Sequence, residues 1–389
     1  MMQKGENKTI VGIVSACGGG DWPPLLAVAA GLQQRGHGVA MICERSLVAT
    51  VRRAGLAALC LPDELELGKI FNPAIRRLWQ NHRQLDRNCP NPFTQWAELV
   101  KPVVAERVRR LSPCCFLSSL FGAGLARVLA AEFAVPWCLV NPGFYFGFRT
   151  TEEGSDDFSP LGYRMYRYWL SPVVLHSDLA LHATDRLFDG NKRDLPPGNI
   201  YCGPLFWEAS GAVPQAFFEP GHPWVLVSLS MAAQENDEQI VKAAVSALVK
   251  MELRVLVTVG RRHDRRMLKA VPENVLVCGY IPHSLVMPEC RLVISHGGHG
   301  TVMKAIRYRT PLLLVPWGRD QPGVSRRARA MGVAGLVART ECNESSLAAA
   351  IATILDDGEI RKKLLQHSVR FGGEDSLDAA CRAVQDMLG

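Results

Sequence analysis

The sequence predicts an α/β protein of two domains, each a parallel sheet flanked by helices. Three observations carry this. At 389 residues the chain exceeds one ordinary hydrophobic core. Short Val/Ile/Leu-rich runs alternate with helical periodicity in both halves, the pattern of β–α–β units. Each half also has an apolar run that ends in a glycine-rich turn opening a helix, CGGGDWPP at 17–24 and HGGHGT at 296–301.

The elements follow in order. The first domain covers 1–208, with strands at 9–16, 39–43, 115–118 and 136–140 and helices at 24–35 and 47–54. Residues 209–223, rich in Gly, Pro and small side chains, form the linker. The second domain covers 224–374, opening on a strand at 224–230. Helices follow at 237–251, 301–308, 323–331, 344–355 and 359–371. A last helix at 375–387 lies within the closing segment 375–389. The N-terminus runs straight into the first strand pattern, and no apolar stretch reaches membrane-spanning length. A cytoplasmic protein with no stable membrane insertion is expected. The basic, aromatic run YRMYRYW at 163–169 leaves peripheral association with a membrane surface open.

Composition narrows the function. The 48% hydrophobic and 21% charged content is that of a globular chain and excludes the disordered class. A net charge of +7 favours anionic ligands, although solubility alone accounts for it. The basic residues are dispersed and no reader motif is present, so no nucleic-acid partner is expected. Twelve cysteines without a CxxC pair or Cys/His metal spacing suit core positions in a reducing compartment.

The turn at 296–301 directs backbone N–H groups and a helix dipole at one point, which suits phosphate. His296 can donate to a diphosphate oxygen, and Gly297, Gly298 and Gly300 permit close backbone approach. Thr301 either caps the helix or touches phosphate, and His299 either lines the site or faces solvent. Asp320 and Gln321 offer an acceptor-only carboxylate and a two-way amide, a pair suited to sugar hydroxyls; the alternative is a cap for the next helix. Asp21 stands just before Pro23 and Pro24, where a helix starts. Taken alone it reads as the N-cap of that helix, and His37 reads as a structural residue at the helix end.

The string VLVCGYIPHSLVMPECRLVISHGGHGTVMKAIRYRTPLLLVPWGRDQPGVSRRARAMGVAG, from 275 to 335, closely resembles the donor-binding half of the UDP-glycosyltransferase superfamily. Pro282-His283, His296-Gly297-Gly298, Gly300-Thr301, Pro311, Pro316 and Asp320-Gln321 fall at that family's spacing. Residues 17–39 are similar to the sterol glucosyltransferases and vancomycin-type antibiotic glycosyltransferases, through Gly20, Asp21, Pro24, Leu25, Gly36 and His37. In those families the Asp is the candidate general base.

The resemblance implies the GT-B fold: two Rossmann-like domains facing a central cleft, with the last helix crossing back onto the first. It implies inverting transfer from a UDP- or dTDP-sugar co-substrate to a small acceptor, with no further cofactor. The chain contains no DxD motif, so metal-free stabilisation of the leaving group is expected. Tyr280, Pro282 and His283 occupy the place where relatives hold the nucleobase; Tyr280 would stack there or serve as a core residue. Met231 fills a slot that carries a hydroxyl in relatives, so that either Ser230 substitutes for it or the contact is absent. Val324 and Arg291 are further departures. Trp22, Phe71, Trp79, Phe144, Tyr145 and Phe146 suit an apolar or aromatic acceptor such as a natural product or lipid, core packing being the alternative. A non-catalytic homologue acting as a binding or auxiliary partner is the other functional reading, and monomer or homodimer is left open.

Overall fold

The structure is a computed structural model that describes residues 8–80, 84–145, 147, 156–190, 194–229, 237–260, 271–371 and 373–389. They form two compact units. The first comprises Met1–Glu152, Tyr163–Ala209 and Gly373–Gly389, and the second Glu153–Gly162 and Ser210–Gly372.

The first unit is a seven-stranded sheet of β1 (Thr9–Val14), β2 (Gly38–Cys43), β3 (Ala57–Cys60), β4 (Cys115–Ser118), β5 (Trp137–Asn141), β6 (Leu179–His182) and β7 (Asn199–Tyr201), in the order β3-β2-β1-β4-β5-β6-β7. Every pairing is parallel. Parallel strands are covered on both faces, which is why the central ones read as continuous apolar runs. The flanking helices are α1 (Trp22–Gln34), α2 (Arg45–Arg53), α3 (Gly68–Gln80), α4 (Pro92–Arg109), α5 (Ala123–Phe133), α6 (Pro160–Met165), α7 (Ser171–Val174) and α8 (Arg186–Asp189). A π-helical turn, Tyr166–Leu170, joins α6 to α7.

The second unit is a six-stranded parallel sheet of β8 (Trp224–Ser228), β9 (Arg254–Thr258), β10 (Val275–Cys278), β11 (Cys290–Ser295), β12 (Leu312–Leu314) and β13 (Ala334–Leu336), in the order β10-β9-β8-β11-β12-β13. Its helices are α9 (Asp237–Lys250), α10 (His299–Arg307), α11 (Gln321–Ala330), α12 (Glu344–Asp356) and α13 (Gly358–Ser368). Asn343 and Asp357 cap α12 and α13 by accepting from backbone N–H groups. The chain therefore has the two-domain parallel α/β architecture that its apolar runs predict.

The last helix, α14 (Gly373–Leu388), belongs to the first unit. Its Ala380, Cys381 and Val384 are fully buried in one core with Leu25, Val28 and Leu32 of α1 and with Val140 and Leu181 of the sheet. Gly31 permits this approach, because a Cβ there would lie 2.8 Å from the Cys381 sulfur. His37, in the α1–β2 turn, meets Gln385 of α14 at 3.2 Å, a packing role.

One boundary differs from expectation. Residues 153–162 fall within the expected first domain, 1–208, yet belong to the second unit. Asp157 accounts for this by pairing with Arg326 and Arg327 of α11. No helix among the described residues is long and apolar enough to cross a membrane.

Both sheets have a topological switch point, where the strand order reverses: β1 beside β4, and β8 beside β11. In open parallel sheets, ligands bind outside the carboxyl ends of the strands at this point. The two glycine-rich turns leave β1 and β11, so each stands at the switch point of its own sheet.

Candidate functional site

In the first unit, Asp21 does not cap α1. An N-cap carboxylate bonds the N–H of the second or third helical residue. Those residues are Pro23 and Pro24, which have no N–H. The side chain reaches instead across the switch point. Oδ1 accepts from the Leu120 amide at 2.9 Å and Oδ2 from the Phe121 amide at 3.3 Å, at the turn that follows β4 and leads into α5. Asp21 is 3% exposed. Burial pushes its carboxyl up to about 6, opposed in part by the nearby Ser119 hydroxyl and by the hydrogen bonds from the Phe121 and Leu120 amides.

Glu44, at the end of β2, holds the neighbouring loop. Its carboxylate accepts from the Ser15 hydroxyl at 2.8 Å and from the Ala16 and Leu67 amides at 2.9 and 3.0 Å. Glu44 and Ser119 were not singled out in the sequence. A charged residue directly after an apolar parallel strand was the available signal for Glu44.

In the second unit, β11 ends at Ser295, whose hydroxyl accepts from the Gly297 amide at 3.0 Å. Gly297 has φ 83°, and a Cβ there would lie 2.3 Å from the Ser325 hydroxyl oxygen of α11. Gly298 is the N-cap of α10, and a Cβ on it would lie 2.7 Å from Nε2 of His296. The imidazole thus rests directly over the glycine backbone. The Thr301 amide closes onto the Gly298 carbonyl at 3.1 Å. Gly300 is exposed, with open space where a Cβ would stand. His299 is 7% exposed, so it does not face solvent.

Asp320 precedes α11 without a side-chain cap bond, so the capping alternative is absent. Burial raises its carboxyl pKa, with Arg319 and Arg327 opposing the shift. The Gln321 side-chain oxygen accepts from the Trp317 and Gly318 amides at 2.9 and 3.0 Å and closes the loop Trp317–Gln321 on itself. Tyr280 is 38% exposed and so is no core residue. A Cβ on Gly211 would lie 2.8 Å from the Pro282 ring and 3.6 Å from the Tyr280 ring, so these two share one patch. His283 meets the Thr258 hydroxyl at 3.2 Å, at the end of β9. Ser230 and Met231 lie outside the described residues.

The acceptor candidates separate. Trp22 packs edge-on against Trp207, beside the core that α1 shares with α14. Phe71 joins a cluster with Phe93, Phe121 and Trp169. Phe71 thereby touches Phe121, whose amide binds Asp21. Phe144 is fully buried and packs as core, and Tyr145 sets its ring edge against the buried His182 at 5.1 Å. Phe146 and the Trp79 side chain lie outside the described residues. Trp169 lies in the aromatic run at 161–170 that the sequence offers for the acceptor, whereas Phe93 and Phe121 were missed because they come from separate segments.

The chain is similar to known proteins in sequence and in fold. Residues 242–370 match the family described as "Erythromycin biosynthesis protein CIII-like, C-terminal domain". O-mycaminosyltylonolide 6-deoxyallosyltransferase of Streptomyces fradiae is 25% identical over 94% of this chain and 94% of its own. Among solved structures, the calicheamicin glycosyltransferase CalG4 has a TM-score of 0.73 at 17% identity, over 99% of each chain. The spinosyn rhamnosyltransferase SpnG complexed with thymidine diphosphate has a TM-score of 0.70 at 20% identity, over 98% of this chain and 100% of that one. With the two sheets, the paired glycine turns and these relatives together, the chain has the GT-B fold and is similar to glycosyltransferases of the antibiotic-biosynthesis type in the UDP-glycosyltransferase superfamily.

Proposed function

We propose that this protein is an inverting, metal-independent glycosyltransferase. It moves a sugar from a UDP- or dTDP-sugar to a hydroxyl of a small apolar or aromatic acceptor, a natural product or a lipid. The observation that carries the reading is the glycine turn after β11, with His296 seated over Gly298 and open space at Gly300. A diphosphate there meets the positive end of α10 and an imidazole donor. As the acceptor oxygen bonds to the anomeric carbon, the bond to the diphosphate oxygen breaks and negative charge grows where these groups stabilise it.

Asp21 takes the acceptor's proton. With its carboxyl near 6, it is ionised at neutral pH yet basic enough to share a proton in the transition state. Oδ2, with the longer amide contact, is the oxygen assigned to this step. Asp320 accepts from donor-sugar hydroxyls. The Gln321 oxygen is committed to the loop, so its contact with the sugar is made through Nε2. The aromatic cluster of Phe71, Phe93, Phe121 and Trp169 supports an apolar acceptor. The thymidine diphosphate complex of SpnG favours dTDP as the first nucleotide to test.

Calorimetry with UDP, dTDP and their glucose conjugates, in EDTA and in magnesium, tests the donor site. Binding of one nucleotide class with equal affinity in both buffers is expected. An absolute magnesium requirement would remove metal independence. The Asp21→Asn variant is expected to bind donor normally and to lose transfer; full transfer would rule out the base.

A further inference from the structure

After β5 the chain leaves the first unit and contributes a short strap, residues 156–162, to the second; the strap ends in the first residues of α6. The strap grips the loop Trp317–Gln321 and the first turns of α11. Asp157 makes a two-pronged pair with Arg327, at 2.7 and 2.9 Å, and a further bond to Arg326 at 2.8 Å. The side chains of Asp157 and Arg327 are only 13% and 14% exposed, which sets the pair apart from a screened surface ion pair. Ser159 engages both backbone groups of Arg319: its amide donates to the Arg319 carbonyl at 2.7 Å, and its hydroxyl accepts from the Arg319 amide at 2.8 Å.

Two glycines make room for this contact. A Cβ on Gly323 would lie 2.6 Å from the Asp157 carbonyl oxygen, and one on Gly162 would lie 2.9 Å from Cα of Arg319. Arg319 has φ 56°, a left-handed conformation that is costly for a residue with a side chain and persists only where its surroundings impose it. The next two residues are Asp320 and Gln321.

We propose that Asp157 and Ser159 are positioning residues that hold the loop Trp317–Gln321 in the shape that reads the donor sugar. The proposal rests on the reading of Asp320 and Gln321 as sugar contacts. Ser159 imposes the turn at Arg319, and Asp157 anchors the helix that begins at Gln321. Asp157 also fixes Arg327, whose charge bears on the Asp320 carboxyl. The strap acts on the sugar end of the donor, while the nucleotide-diphosphate end depends on the turn at His296.

The test compares parent, Asp157→Ala, Asp157→Asn, Ser159→Ala and Asp320→Ala. Amide hydrogen exchange without ligand reads the loop, and calorimetry reads dTDP against dTDP-glucose and UDP against UDP-glucose. Asp157→Asn keeps the shape of the side chain if the alanine variant fails to fold. Faster exchange at Trp317 and Gly318 is expected in the strap variants. So is a drop of about tenfold in the affinity ratio of sugar nucleotide to nucleotide, with nucleotide affinity within about twofold of the parent. Parental exchange rates in folded Asp157 and Ser159 variants would overturn the proposal. So would a parental ratio in the strap variants when Asp320→Ala has lost it. If Asp320→Ala itself keeps the parental ratio, the sugar reading of that residue falls, and the proposal falls with it.

Discussion

Asp21 carries two sharp predictions. Its ordinary carboxyl value of 3.8 becomes about 6 in the fold. The folded state therefore holds the proton more tightly than the unfolded chain, and ionisation costs stability as pH rises through that window. The cost is complete above about 6 and absent below 3.8. At about 1.4 kcal/mol per pH unit, it amounts to roughly 3 kcal/mol. Urea unfolding of parent and Asp21→Asn at pH 4 and pH 7.5 checks this. The stability of the variant relative to the parent should rise by roughly that amount between the two, over any constant offset from the amide. A flat difference would mean that the carboxyl is not perturbed. The same titration sets the acid limb of transfer, where kcat/KM should fall about tenfold per pH unit below about pH 6. In the second unit, His296→Ala should weaken dTDP or UDP binding about 10- to 100-fold, the worth of a hydrogen bond to a charged group. Calorimetry reads the loss directly.

At the scale of elements, the two glycines of one turn should behave differently. Gly297 has φ 83°, so Gly297→Ala should cost about 1–2 kcal/mol in urea unfolding. Gly298 has φ −63°, which any residue adopts, so Gly298→Ala should leave stability nearly unchanged. Its new methyl would displace the His296 ring and copy the binding loss of His296→Ala. Equal binding by Gly298→Ala and parent would show that the ring position does not matter. Elements of this kind were legible where the chain carries a continuous apolar run and a breaker. The strands at β4 and β11 and the helices α9, α12 and α13 lie where periodicity puts them, within a few residues. The edge strands β3 and β7 were not legible: Ala57–Cys60 and Asn199–Tyr201 are short, half-buried and made strands by their pairing. The partners of Asp21 lie about a hundred residues away along the chain, beyond any local pattern. Yet Pro23 and Pro24 already show in the sequence that Asp21 has no N–H to cap in its own helix.

For the whole molecule, the first unit is closed by the end of the chain. Deleting 373–389 uncovers the α1 face that packs on Ala380, Cys381 and Val384. Full burial of one side chain such as Val384 contributes roughly 1.5–3 kcal/mol. Differential scanning calorimetry of the truncated chain should show the first unit melting earlier while a transition for the second remains. An unchanged profile would mean that α14 adds little. The fold and the likeness to glycosyltransferases were legible at this scale because the motifs that carry them are compact in sequence, whereas the strap at 156–162 was not: its meaning depends on a helix that the chain reaches only much later.

Neither unit is one continuous stretch of chain, and this governs how relatives can be recombined. A chimera spliced once, between 209 and 210, would join a foreign donor half to a native first half and still inherit the wrong α14 and the wrong strap. Asp157 would then face an unrelated helix, and α1 an unrelated partner. Exchange of sugar preference between such enzymes calls for four breakpoints, moving 153–162 together with 210–372.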